Sequence, residues 1–424
     1  MTEMSSLWWT ASIVSAVPLL ATVAALSACS DSRGGLLEHL MRSRAELFES
    51  VLENVDEHGI QILYTQIDRD ESNRPRLTEH RYRVDASEYF YPASTVKLAG
   101  ALAALEKLNR LGVEGLGRNT PLRIDSAYSG QSPALTDTTS QNGLPSIGHY
   151  IKKVFLVSDN DAYNRLYEFV GQRALNESLW EKGYSNVRLT HRLSVSLTPD
   201  ENRHTNPFTF LEGDRVIYRQ AAASNPDDFA PGAPILKGIA HYRGDSLIQE
   251  PMNFSRKNYM SLETLHELLK AVVLPESVAE RRRFDLTEDD YTFLYRVMGM
   301  LPGESRFPRY DSEQYWDSRV KFFLFGDSKE PMPEGIRIFN KVGDAYGYLI
   351  DNAYVVDFEH GIEFLLTAVI SVNRNRTYND DEYEYDETGL PFLANLGRTV
   401  YEYELQRQRS SRPDLSRFDV AFAD

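Results

Sequence analysis

The sequence predicts an α+β fold in which one antiparallel sheet, built from both ends of the chain, carries a helical lobe made from its middle. Two observations lead there. Runs with strand character sit near the ends, at 60–67 and 81–89 on one side and at 336–340, 345–358 and 362–372 on the other. Between them, apolar residues recur with the helical period. If the two ends pair, a cleft is left between sheet and helices, a common place for an active site.

In chain order, residues 36–55 put Leu36, Leu37, Leu40, Leu47, Phe48, Val51, Leu52 and Val55 on one helical stripe. The strand at 60–67 follows, and the polar stretch 68–76 (DRDESNRPR) is the turn to its expected partner at 81–89. Residues 98–105 (LAGALAAL) are small or apolar on every face, which predicts a buried helix. Two helices, 147–157 and 161–170, are broken at Ser158-Asp159-Asn160, and 174–182 adds a third. From about 193 to 256, Pro199, Pro207, Pro226, Pro231, Pro234 and Pro251 punctuate the pattern, predicting an inserted region of long loops. Helical character returns at 259–274 and 391–407. The acidic, Tyr-rich stretch 378–388 has no EF-hand spacing and reads as a solvated loop, and 409–424 as a loose tail. The expected body is therefore 36–408, with an α/β lobe from 36–90 and 330–408 and a helical lobe from 91–329.

At 424 residues, 42% hydrophobic and 25% charged, the chain can bury a large core and is neither low-complexity nor disordered in composition. Its formal charge of −16 repels phosphate backbones, which argues against nucleic acid as a partner, and an anionic small molecule would need a local cationic site. Nine histidines show no metal-ligand spacing, and no Gly-rich phosphate loop is present, so no metal or cofactor is expected.

The single cysteine, Cys29, closes the sequence Leu26-Ser27-Ala28-Cys29 directly after the apolar run 13–25 (IVSAVPLLATVAA). This arrangement resembles the lipobox of bacterial lipoproteins. The resemblance implies a signal peptide over 1–28, lipidation of the Cys29 thiol, a tether at 29–35, and export to a membrane surface facing the periplasm or cell exterior. The leading segment departs from that pattern in holding Glu3 and no Lys or Arg. The uncharged stretch 5–30 is also long enough to span a bilayer as an uncleaved anchor.

Ser94 and Lys97 stand three apart at the start of the buried helix, so their side chains share a face, with Cβ atoms ~5–6 Å apart. A serine hydroxyl is a weak nucleophile and needs a neighbouring base. Lysine qualifies when burial and a second cation lower its pKa from ~10.4. The apolar helix supplies burial, and amides at its start favour an alkoxide. Ser-x-x-Lys is expected about once or twice by chance in a chain this long. It recurs at Ser318-Arg319-Val320-Lys321, followed there by the strand-like KFFLFG and not by a buried helix.

Two further motifs follow in order, Ser158-Asp159-Asn160 at the helix break and Lys341-Val342-Gly343 on a strand. With their flanks, FYPASTVKL, LVSDNDAYNRLYEFVG and NKVGDAYGYLIDNAYVV, they resemble class A serine β-lactamases and their penicillin-binding relatives. The resemblance implies the β-lactamase/transpeptidase-like form of the α+β fold. It makes Ser94 the acylated nucleophile, Lys97 its base or proton relay, and Ser158 the proton donor to the leaving nitrogen. Asn160 would hold the substrate amide, and Lys341 would attract a substrate carboxylate and keep Lys97 deprotonated. Gly343 belongs to the third motif, and the oxyanion would sit on the N–H groups of Ser94 and Asp344. Tyr128 matches an aromatic gatepost at the cleft edge.

Four departures stand beside these matches. The loop after the second motif has Leu193 or Ser194 where class A enzymes carry the glutamate that activates the deacylating water, and Glu201 is the next carboxylate that a rebuilt loop could offer. Val342 replaces the usual Thr or Ser, and Asp351 lies near the usual carboxylate-binding Arg. The insertion at about 193–256 is long enough to cover or reshape the cleft. The expected function is a serine hydrolase opening a β-lactam or related amide or ester, acting on a small-molecule or peptidoglycan-like substrate. A slow-turnover penicillin-binding protein, D,D-peptidase or esterase is the enzymatic alternative, and a lipid-anchored binding protein without turnover the other. Gly326-Asp327-Ser328 with Asp357 and His360 superficially resembles the blocks of SGNH esterases, but the two blocks lie too close together to enclose a domain.

Overall fold

Residues 36–55, expected as one helix, form two, α1 (Leu36–Arg42) and α2 (Ala45–Leu52), because Arg44 between them is non-helical at φ −125°, ψ 49°. The structure, a computed structural model, describes residues 35–229 and 231–424. The signal-like segment 1–28, Cys29 and the tether up to Gly34 lie outside the described residues.

Strand β1 (Gln61–Arg69) runs antiparallel to β2 (Pro75–Tyr82), so the partner begins at Pro75 and overlaps the expected 81–89 only at its start. The Asp70 carboxylate accepts the N–H groups of Ser72 and Arg74, both at 2.9 Å, and closes the turn early. Pro75, with no N–H to offer, suits the start of an edge strand.

Helix α3 (Lys97–Leu111) is buried on nearly every side, as its small and apolar sequence requires, and ends at Gly112 in the left-handed conformation (φ 58°). Helix α4 (Ile147–Val157) is capped by Ser146, whose hydroxyl accepts the His149 N–H. It stops at Ser158, which takes up φ 58°. Asp159 then caps α5 (Asn160–Val170) by accepting the Ala162 N–H at 2.8 Å. Next come α6 (Gln172–Glu181), α7 (Leu262–Val273) and α8 (Glu288–Gly299), the last not expected from the sequence. Strands β3 (Ile336–Ala345), β4 (Tyr348–Asp357) and β5 (Ile362–Ser371) precede α9 (Leu390–Gln406).

The sheet order is β3-β4-β5-β1-β2, antiparallel throughout, and the β1–β5 pairing joins the two halves of the chain with Ile62 opposite Ala368. One apolar layer lies between the sheet and the helical lobe, holding Leu63, Phe339, Tyr354 and Leu365. The other packs Ile62, Ile338, Phe364 and Leu366 against α1, α2 and α9. With both faces covered, β4 is buried along its whole length, which explains its nearly continuous apolar run.

Two further expectations are corrected. The region 193–256 is not loop throughout. Its hairpin Phe208–Glu212/Arg215–Gln220 extends a strand at Leu122–Ile124, and a second hairpin, Ala240–Arg243/Ser246–Ile248, pairs with Thr377–Tyr378. The segment 409–424 is not loose, since Leu415, Phe418 and Phe422 are buried in the main core and Asp424 pairs with Lys152 and Arg296. Among the described residues no helix is long and apolar enough to cross a membrane.

Candidate active site

The turn Ala93–Val96 carries Ser94 just ahead of α3, with Ala93 itself at φ 48°. Lys97, the first residue of the helix, is fully buried. Its Nζ lies 2.8 Å from Ser94 Oγ, 3.1 Å from Ser158 Oγ and 2.8 Å from Asn160 Oδ1, and also contacts the Ser158 carbonyl oxygen. The break between α4 and α5 thus aims three oxygen atoms, from two residues, at one lysine. Burial holds the Lys97 ammonium well below the ordinary lysine range, and the Lys341 charge lowers it further, against the pull of Asp344 and Asp159. As an ammonium Lys97 donates to Ser94 Oγ, whereas as a neutral amine it has two N–H groups and a lone pair that can accept the Ser94 O–H.

Lys341, on β3, donates to Ser158 Oγ and to the Val342 carbonyl, both at 2.9 Å. Burial lowers its pKa to about 7, opposed by Asp344 and Asp351. Ser158 Oγ therefore sits between two lysines. Gly343 lets β3 approach the turn that carries Ser94, because a Cβ there would lie 2.9 Å from the Pro92 oxygen and 3.0 Å from the Ser94 nitrogen. Ser94, Ser158, Asn160 and Asp344 line one cleft of about 770 Å³.

Tyr128 and Glu201 are placed elsewhere. Tyr128 donates to Asp200 at 2.5 Å and stacks on His204 at 3.6 Å. The Glu201 carboxylate accepts from Ser129 Oγ and from Thr198 N and Oγ1, each at 2.8 Å, as part of the capping box of the one-turn helix Pro199–Arg203. Neither residue lines the cleft. At the position in question Leu193 is buried, held by Asn164, while Ser194 faces the cleft and accepts the Asn160 Nδ2–H at 2.9 Å. Arg192 fastens this loop to Glu168 at 2.8 Å and to the His204 carbonyl at 2.6 Å. A separate cavity of about 680 Å³ behind the loop, reaching Asp227 and Lys257, holds none of the three motifs.

Sequence reasoning missed several cleft residues. Arg319, inside the second Ser-x-x-Lys, is exposed there, and Asp381, Tyr383, Tyr385 and Asp386 come from the stretch read as solvated loop. The crowding of Tyr and Asp in 378–388 was the available signal. Asp351 does not reach the cleft. It is buried behind β3, where it accepts from Asn340 Nδ2 and the Phe322 and Phe323 N–H groups.

A model of the beta-lactamase enzyme family matches residues 50–282, more than half of the chain. The chain belongs to the beta-lactamase enzyme family. That match contains the first two motifs, and Lys341 lies beyond it. Among solved structures, a beta-lactamase from Sphaerobacter thermophilus DSM 20745 is similar at 14% identity and a TM-score of 0.46, covering 86% of this chain and 99% of the other. PBP-A is similar at 15% identity and 0.46, covering 85% and 96%. An ancestral class A beta-lactamase is similar at 15% and 0.45, covering 86% and 99%. No curated protein matches the chain.

Proposed function

We propose that this beta-lactamase family protein is a serine hydrolase acylated at Ser94 by a β-lactam or a related amide or ester. The observation that carries the reading is the fully buried Lys97, whose Nζ stands 2.8 Å from Ser94 Oγ. Neutral Lys97 takes the hydroxyl proton as Ser94 Oγ attacks the carbonyl, and the developing oxyanion is met by the N–H groups of Ser94 and Asp344. Ser158, hydrogen-bonded to both lysines, returns a proton to the leaving nitrogen. Lys341, while charged, attracts an anionic group of the substrate and disfavours a proton on Lys97.

A second reading, a penicillin-binding or esterase-like protein with slow release, is favoured by one observation. The hydroxyl of Ser194 stands beside Asn160 where a carboxylate would activate the deacylating water, and Glu201 is occupied by Ser129 and Thr198. General-base help is worth ~10²–10⁴ in rate, so without it the acyl-enzyme should persist.

An intact-mass time course with a penicillin, run beside Ser94→Ala, tests both. A transient adduct with accumulating product supports a turning-over β-lactamase, and a stable adduct supports the slow-release reading. An adduct that survives in Ser94→Ala, or none in either protein, refutes the assignment of Ser94. We also propose export and lipid anchoring through Cys29. Radiolabelled fatty acid supplied to expressing cells should then label the wild-type protein and not Cys29→Ser, and an unlabelled wild type would sink that idea.

A further inference from the structure

Two features of the sequence have no place in the chemistry above, the second Ser-x-x-Lys and Asp351, and the fold brings them together. Lys321 is fully buried, and its Nζ donates to the carbonyls of Met298 (2.6 Å) and Ile338 (2.7 Å) and to Asn340 Oδ1 (2.8 Å). Asn340 donates in turn from Nδ2 to Asp351 Oδ1 at 2.8 Å, and Asp351 Oδ2 holds the N–H groups of Phe322 and Phe323 at 3.0 and 3.1 Å. A neutral amide therefore joins a buried ammonium to a buried carboxylate.

This cluster backs onto the active site. Asn340 and Lys341 are consecutive on β3, so their side chains leave opposite faces, and Asp351 stands opposite Val342 in the register. We propose that Lys321, Asn340 and Asp351 form a positioning unit that acts through β3 on Lys341 and sets the pH at which Lys341 carries its charge.

The charged groups facing each member fix the direction of the effect. Lys341 is pushed down by burial and drawn back up by Asp344 on the cleft side and Asp351 behind, with Lys97 beyond Ser158. Lys321 is lowered to about 7 by burial, with Asp351 and Glu304 opposing and Arg337 and Lys341 reinforcing. Burial raises Asp351 to about 6, against the hydrogen bonds from Asn340 and Phe323 and the Lys321 charge. All three groups change charge close to neutrality, where like and unlike charges inside a sheet are weakly screened.

The inference rests on the proposed role of Lys341, so its test includes a readout independent of acylation. The full chain, in detergent, is labelled with ¹³C at the lysine Cε, and the Lys341 resonance is assigned through Lys341→Arg. Asp351→Asn removes a carboxylate and should move the Lys341 titration to lower pH by ~0.5–1 pH unit. Lys321→Gln removes a cation and keeps a donor, so it should move the titration upward by a similar amount. Opposite displacements support the unit, because mere destabilisation would not give the two variants opposite signs. An unmoved Lys341 titration in Asp351→Asn, or displacement in the same direction in both, overturns it. If Lys321→Gln does not fold, Asp351→Asn alone decides. The alkaline limb of the acylation rate should follow the resonance. If the resonance moves and the rate does not, the unit stands and the role given to Lys341 in acylation falls.

Discussion

Ser-x-x-Lys occurs twice in this chain, and both lysines are fully buried and held below the ordinary lysine range by burial. The likeness ends there. Lys97 opens a helix, so the serine three residues before it shares its face and its hydroxyl is within 2.8 Å. Lys321 stands at φ −132°, ψ 80°, outside the short turn Asp317–Val320, and its Nζ is consumed by two carbonyls and an amide. Ser318 meanwhile turns away, to the Ser328 carbonyl. A depressed lysine is thus no mark of catalysis by itself. What separates the two copies is the backbone between serine and lysine, and a cleft that takes in Ser94 of the first but only Arg319 and Val320, not Ser318, of the second.

The sharpest way to break this comparison is at the lysines' partners. Lys97→Met should cut the rate of Ser94 acylation by ~10²–10⁴, whereas Ser318→Ala should leave it within about twofold, both read by mass spectrometry under one set of conditions. Equal losses would mean that the two copies were wrongly separated. Next in size, Ser194→Glu places a carboxylate beside Asn160 and should speed decay of the acyl adduct by ~10–10², measured by chasing unreacted penicillin away. No change would show that a side chain there cannot reach the acyl group.

A smaller effect is expected on the β3 side. Val342→Thr adds one hydroxyl donor next to Lys341 and should improve kcat/KM, or the acylation rate, about fivefold for a carboxylate-bearing substrate and not for its neutral analogue. The smallest concerns stability. The folded protein binds a proton at Lys321 less tightly than the unfolded chain does, with a value near 7 against an ordinary 10.5. Stability from this group therefore grows as pH rises from about 7 towards 10.5 and is lost as pH falls back through that window. The melting temperature of Lys321→Gln should rise less steeply with pH over that window than that of the wild type. Parallel curves would mean that Lys321 titrates normally.

Much of this was legible because the signals were local. LAGALAAL is apolar on every face and became the buried α3, and Ser158-Asp159-Asn160 interrupts two strongly periodic stretches and became the α4–α5 junction. β4 and β5 announce themselves through runs buried on both faces. What stayed hidden depends on distant partners. β2 is an edge strand whose charged residues imitate a turn, and its true start is set by the Asp70 carboxylate. The hairpin at 208–220 finds its third strand at Leu122–Ile124, and the tail is held by single aromatics, Phe418 and Phe422. Of the expected site, Ser94, Lys97, Ser158, Asn160, Lys341, Gly343 and Asp344 come together. Tyr128, offered by resemblance to a family gatepost, and Glu201, offered as the next carboxylate after the second motif, do not.

Gly343 leaves β3 so near the Ser94 amide that no side chain fits between them. Ser94, Lys97, Ser158 and Lys341, the groups proposed for the chemistry, come from three stretches that are far apart in the sequence and meet only when sheet and helical lobe have closed on each other. A reagent that needs all of them, such as a covalent acylating label, would therefore count finished molecules and pass over partly assembled ones. In a crude preparation, the labelled fraction becomes a census of maturation as well as a measure of chemistry.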